Sequence, residues 1–172
     1  MHPHGSGRKE MRDKDDISTL QSFIELGLCL VICLAAAVFG ILFVPGEWYE
    51  TLSKPSWTPS DHVFSWIWSA LYIMMGSAVW IVWRQRRSAE ITLPITVFTL
   101  QLFLNALWAF LFFGLHRMDL ALIDAGLLLI VLTVAVIVFW KINALAGLFL
   151  IPYYLWMFFA VFLNYTIWRL NS

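Results

Sequence analysis

Residues 91–114, "ITLPITVFTLQLFLNALWAFLFFG", run through the chain without an Asp, Glu, Lys or Arg. A hydrocarbon core about 30 Å thick is crossed by roughly 20 apolar residues in a helix, so this stretch is long enough to span a membrane. Working outward, four more stretches of similar character occupy 20–44, 63–83, 118–140 and 144–168. The whole chain is 61% hydrophobic and 13% charged, against about 25% charged residues in an ordinary soluble domain. Lipid offers the backbone no hydrogen-bond partners, and the two-residue alternation of a barrel strand is absent. The sequence therefore predicts an all-α integral membrane protein, a bundle of five transmembrane helices over residues 20–172.

The first hydrophobic stretch lies behind about 19 polar residues and lacks a small-residue cleavage pattern before Pro45, so it does not read as a cleaved signal sequence. Residues 1–19, "MHPHGSGRKEMRDKDDIST", mix both signs of charge without apolar periodicity and read as a disordered tail. His2 and His4 in that tail are expected to be solvated rather than metal-bound. Cys29 and Cys33 stand four apart on the first helix, which is not a redox C-x-x-C, and both are expected to be reduced. In a membrane protein the formal net charge of zero says nothing about nucleic acid, and with no basic arm or nucleic-acid motif no nucleic-acid partner is expected.

Lys and Arg fix the expected orientation. Arg8, Lys9, Arg12, Lys14, Arg84, Arg86, Arg87 and Lys141 fall on one side, and Lys54, Arg117 and Arg169 on the other. Eight against three places the N-terminus in the cytoplasm.

Within the opening stretch, Gln101, Asn105, Trp108 and Phe112 recur at spacings of four, three and four. At 100° per residue they share an arc of about 60° on one helix face. Amides at bilayer depth face the bundle interior, where they either bond between helices or orient a ligand. Phe64, Trp68 and Tyr72 repeat the pattern on the second helix. Pro152, Trp156, Phe159 and Leu163 do so on the fifth, with Asn164 at the edge. Aromatic stripes also serve plain packing, but three of them beside an aromatic loop read as a cavity for a planar ligand.

The loop over residues 45–62 holds Trp48, Tyr49, Lys54 and Trp57 among Pro45, Pro55 and Pro59. Proline fixes its own φ and biases the preceding residue to an extended shape, so the segment is stiff. Each ring alone fits an interfacial aromatic belt; rings and a lysine braced by prolines fit a cap over the cavity. Val161, Tyr165 and Arg169 satisfy the weak sterol pattern and lie opposite Trp156 on the helix, toward lipid or a partner subunit. Ala36 and Gly40 form a small-xxx-small pair suited to close packing. Asp124, about two turns inside the fourth span, is read as a helix-end contact.

These residues resemble the tryptophan-rich sensory protein and translocator protein family (TspO/MBR), also called peripheral benzodiazepine receptors. The pattern runs Trp48-Tyr49, Leu52, Lys54-Pro55, Trp57, Pro59, then Phe64, Trp68 and Leu71-Tyr72. It continues with Gln101, Asn105, Trp108 and Phe113-Gly114, and ends with Pro152-Tyr153, Trp156 and Leu163-Asn164, covering about residues 24–170. Ser60, His62 and Ser65 differ from residues common there in bacterial members, which the chain otherwise resembles most. The resemblance implies a five-helix bundle, commonly a homodimer in a bacterial cell membrane. It also implies a pocket under the first loop for porphyrins, haem or sterols, with Tyr49, Trp68, Tyr72, Asn105, Trp108, Trp156 and Asn164 at pocket positions.

No cofactor is required on this reading; the porphyrin or haem is the ligand. Lys54, His116 or Arg117 would pair with its carboxylates, and no buried His pair offers axial iron ligands. The leading expectation is a receptor or transporter with a sensory role. The alternative implied by the resemblance is light-dependent porphyrin degradation, with Trp68 and Trp156 as catalytic residues. No nucleophile–base pair or metal triad points to hydrolysis or ordinary redox catalysis.

Overall fold

The computed structural model describes residues 6–43 and 46–172. Among these residues six α-helices follow one another: α1 (Ser6–Ile41), α2 (Glu47–Thr51), α3 (Asp61–Arg84), α4 (Thr92–Ala109), α5 (Met118–Ile142) and α6 (Ala144–Leu170). Five contain a segment long and apolar enough to cross a membrane: Thr19–Val38, Asp61–Arg84, Thr92–Gly114, Met118–Ile142 and Ala144–Leu170. The protein is a multi-pass, all-α integral membrane protein, as the hydropathy blocks predict.

α1 begins at Ser6 and so takes in residues 6–19, where the sequence reading expected a disordered tail. Arg, Lys, Glu and Met are good helix formers, and an already nucleated helix extends through such residues at little cost. His2, His4 and Pro45 lie outside the described residues, as do the side-chain surroundings of Gly40 and of the basic residues before Thr19.

Principal contacts arrange the helices as a closed ring, α1–α3–α6–α5–α4 and back to α1. The tightest seam is α5 against α6, and the lightest closes the ring between α4 and α1. Asn143 sets the α5–α6 corner: its side chain accepts from the backbone N–H groups of Leu145 (2.9 Å) and Ala146 (3.4 Å). Such an N-cap satisfies donors that a helix start otherwise strands. α1 and α3 meet closely at Gly76, where an added Cβ would lie 2.7 Å from Leu30 Cδ2 and 3.1 Å from its Cα. Ala36, further along α1, is partly buried against the larger core.

Two cores fill the ring. The larger includes Met75, Leu128, Leu132, Phe139, Leu150 and Tyr153, all without measurable exposure. A smaller one, around Phe112, Ala121, Leu163 and Ile167, takes in Trp48, Tyr49 and Leu52 from the first loop. The loop is thus packed onto the bundle rather than strung across it. Cys29 and Cys33 are free thiols, the second fully buried.

Two details of register differ from expectation. Pro152 is exposed, and its neighbour Tyr153 is the residue turned inward. Proline has no N–H to donate and its ring meets lipid without penalty, whereas the Tyr153 hydroxyl bonds inside the bundle. Beyond Ala109, α4 widens into a π-helical turn over Phe110–Gly114, in which the Leu115 N–H donates to the Phe110 carbonyl (2.9 Å). Gly114 ends it against Phe43 and Phe110, whose ring atoms would lie 2.9 and 3.0 Å from an added Cβ.

Candidate ligand cleft

α2 and the prolines after it lay the first loop across the ends of α4 and α6. Below it, Tyr49, Thr58, Pro59, Asp61, Phe64, Trp108, Phe112, Phe113, Ala160, Leu163, Asn164 and Ile167 line a narrow cleft of about 50 Å³, partly open to the surroundings. Phe64, Trp108 and Ala160 also border a second, small void of about 10 Å³ that reaches Trp68, Asn105, Leu128 and Met157. The two spaces share Phe64, Trp108 and Ala160 as a common wall.

Hydrogen bonds fix the polar part of that wall. Tyr72 donates its hydroxyl to Asn105 Oδ1 (2.6 Å), and Asn105 Nδ2 donates to the Tyr153 hydroxyl (3.0 Å). Trp108 Nε1 donates to Asn164 Oδ1 (3.0 Å), whose Nδ2 donates to the Met118 carbonyl (3.1 Å). Both asparagines are nearly fully buried, and each joins helices across the ring. By contrast, the indole nitrogens of Trp68 and Trp156 are buried without a partner.

Rings then stack outward. Trp108 lies on Phe112 (5.3 Å between centroids, 25° between planes), and Phe112 meets Tyr49 (6.2 Å) and Trp48 (5.9 Å) edge to face. Phe113 reaches Trp108 (5.7 Å) and Tyr49 (5.5 Å) too, because the wider π turn keeps successive side chains on the cleft side. Trp156 bridges Phe64 (5.9 Å) and Phe159 (5.1 Å). These are the offset and edge-to-face arrangements that ring quadrupoles favour.

Of the residues expected at the site, Tyr49, Phe64, Trp68, Asn105, Trp108, Phe112 and Asn164 border the two spaces. Tyr72 and Trp156 stand one layer behind, against Trp68 and Phe64. Gln101 lies deeper, fully buried against Met75 Sδ (4.0 Å), with Oε1 unpartnered. Trp48 stacks on His116 at 4.1 Å and 13°, an arrangement that the left-handed backbone of His116 (φ 56) allows. Trp57 leaves the cleft altogether and stacks on Phe162 (5.4 Å, 15°).

Charges around the mouth are already engaged. Lys54 Nζ sits 3.9 Å from the Tyr49 ring centroid and 3.5 Å from Glu50, and Arg117 is held by Asp119 at 2.6 Å. Burial, then the Asp61 and Glu50 carboxylates, raises the Tyr49 phenol above its ordinary pKa, so it stays neutral. Sequence reasoning missed Thr58, Asp61, Ala160, Ile167, Leu128 and Met157 as lining residues. It also read Asp124 as a helix-end contact. Asp124 is instead 6% exposed inside the bundle, with Oδ2 unpartnered. Among the described residues no three His, Cys, Asp or Glu side chains gather as a metal cluster.

A ring-lined cleft with Asn164 in its wall and Asn105 in the space beyond, set between α3, α4 and α6 under a packed loop, marks the candidate site of this multi-pass membrane protein. The family follows from comparison with known sequences: the profile of the TspO/MBR family matches residues 29–169, and the chain belongs to that family. It is 37% identical over 142 residues to "Protein CrtK" of Rhodobacter capsulatus, covering 82% of this chain and 89% of that one. It is 37% identical over 158 residues to "Tryptophan-rich protein TspO" of Chlorobaculum tepidum, covering 88% and 98%. To the human "Translocator protein" it is 35% identical over 151 residues, covering 85% and 89%.

Proposed function

We propose that this chain is a membrane receptor or carrier that binds a tetrapyrrole, protoporphyrin IX or haem, in the cleft beneath the first loop. The sensory and translocator names of its relatives fit that role. The observation that carries the reading is the ring-walled cleft itself, with Tyr49, Phe64, Trp108 and Phe112 around it and Asn164 set among them. A porphyrin is a wide π surface, and apolar clefts with a few fixed polar groups suit such ligands.

The ligand's carboxylates would lie at the mouth, where Lys54 is the nearest cation to the Tyr49 wall. A sterol would meet a different surface. Tyr165 and Arg169 are exposed and Val161 half-exposed on the outer face of α6. A homodimer in a bacterial cell membrane, with the N-terminus cytoplasmic, completes the proposal. The orientation rests on Arg84, Arg86, Arg87 and Lys141 lying at the end of the bundle opposite Lys54, Arg117 and Arg169.

Titrating the purified protein with protoporphyrin in the dark tests the proposal. A saturable absorbance change is expected, and its absence would leave the cleft as packing only. A second reading, light-dependent breakdown of the bound porphyrin, is favoured by the unpartnered indoles of Trp68 and Trp156 beside the cleft. Illumination then bleaches the complex to a new product instead of leaving its spectrum stable. For orientation, a reporter inserted at Arg86 is expected to read cytoplasmic and one at Ser53 outside; both on one side would break the five-span topology.

A further inference from the structure

Opposite the cleft, the bundle carries a second recess, of about 170 Å³ and open to the surroundings. α3 spans 24 residues from Asp61 at the cleft to Arg84 here, roughly 35 Å at 1.5 Å per residue. Gln21, Ser22 and Glu25 of α1 form one wall; Arg84, Arg86 and Arg87, at the end of α3 and just after it, form the other. The walls are fastened together. Trp80 Nε1 donates to the Ser22 carbonyl (3.2 Å), and Arg86 donates to both Glu25 oxygens (2.6 and 3.3 Å).

Charge in the recess does not balance. Glu25 is the one carboxylate in its lining, and it is taken by Arg86. Arg84 lies over the Trp80 ring, 5.2 Å from its centroid, and no ion pair holds Arg84 or Arg87 among the described residues. Among the described residues, two guanidinium groups therefore line an open space without an ion pair of their own, beside a third that is shared with Glu25.

We propose that this recess seats the phosphate of an anionic membrane lipid. Guanidinium groups match phosphate oxygens in bidentate geometry, which gives both strength and orientation. Arg84 ends the membrane-spanning segment Asp61–Arg84, so the recess opens at headgroup depth rather than in bulk water. Trp80 and Trp83 beside it are residues of the kind that settle at the membrane interface. Free inorganic phosphate shares the headgroup's chemistry but has no acyl chain. Next to the recess, α1 presents Leu20, Phe23, Ile24 and Leu28, between 55% and 66% exposed, as a surface for such chains. Glu25 acts as an internal competitor, so the site favours a ligand that adds apolar contact to its charge.

Native mass spectrometry of the full chain in detergent, with phosphatidylglycerol or phosphatidylcholine of identical chains, tests the assignment. The wild type is expected to retain phosphatidylglycerol at roughly tenfold lower concentration than phosphatidylcholine, since each basic residue at a membrane surface favours an anionic lipid by a few-fold. Replacing Arg84→Gln and Arg87→Gln together is expected to remove that preference. Glu25→Gln, which frees Arg86, is expected to strengthen it, and this opposite sign separates charge recognition from damage to the fold. The double variant is expected to lose little thermal stability, because among the described residues neither arginine is held by an ion pair and only Arg84 has a ring contact. Equal retention of the two lipids by the wild type, or an undiminished preference in the double variant, overturns the proposal. So does displacement of phosphatidylglycerol by millimolar inorganic phosphate, which would make the recess a site for soluble phosphate.

Discussion

Asn105 and Trp68 face the same inner space, yet their polar atoms are treated in opposite ways. Both amide atoms of Asn105 are spent on tyrosine hydroxyls, one on α3 and one on α6. The Trp68 N–H has nothing to bond, nor has that of Trp156 behind it. In a membrane interior, where water does not rescue a stranded donor, the first arrangement holds helices together and the second holds a group in reserve. The difference divides the aromatic end of the bundle into a frame and a lining.

The frame is broken hardest at Asn105. Asn105→Ala strands the Tyr72 and Tyr153 hydroxyls together and is expected to destabilise the bundle by about 2 kcal/mol. Thermal unfolding in detergent reads this directly; a wild-type melting curve would erase the distinction between frame and lining. Smaller effects are expected at the lining. Trp68→Phe and Trp156→Phe keep a ring in place, so stability changes by less than about 1 kcal/mol, while dark porphyrin affinity falls about tenfold or less. If the chain degrades porphyrin in light, bleaching slows far more than affinity falls, because indole is the readily oxidised group. Loss of stability with unchanged affinity would move both tryptophans into the frame.

The smallest effect is expected at Lys54, whose ammonium is shared between Tyr49 and Glu50. A cation–π contact at a partly exposed position is worth about 0.5–1 kcal/mol, and an exposed ion pair no more. Lys54→Ala is expected to weaken a dicarboxylate porphyrin a few-fold, and an uncharged ligand less. Parallel titrations compare them, and equal losses would assign Lys54 to loop shape alone.

What the sequence made legible follows from which forces are periodic. Hydropathy is set by the bilayer, so four of the spans end within two residues of their predicted limits, while the first, predicted over 20–44, has its apolar segment at Thr19–Val38. Asn105, Trp108 and Phe112 recur at helical spacing and do share one face. The same arithmetic failed by one residue on α6, choosing Pro152 over Tyr153, because a buried hydroxyl's partner on another helix decides the rotation. Phe113 could not be placed by α-helical spacing, since the π turn before it changes the period. Thr58 reaches the cleft from an irregular loop, which carries no period, and Asp61 stands at the first position of α3, ahead of that helix's aromatic repeat. Trp57 was drawn into the site by composition, but the loop turns its ring onto α6.

Asn171 exchanges two hydrogen bonds with the backbone of Ser53, both 2.9 Å, across 118 positions of sequence. Asn164, Leu163 and Ile167, which floor the cleft, stand on the helix just before it. Helices enter the membrane in the order in which they leave the ribosome, so α6 arrives after the other four spanning segments. Until then the cleft lacks its floor and the first loop lacks its clasp. During synthesis a ligand would thus meet an open trough, and binding competence would switch on at a single late moment, with the insertion of α6.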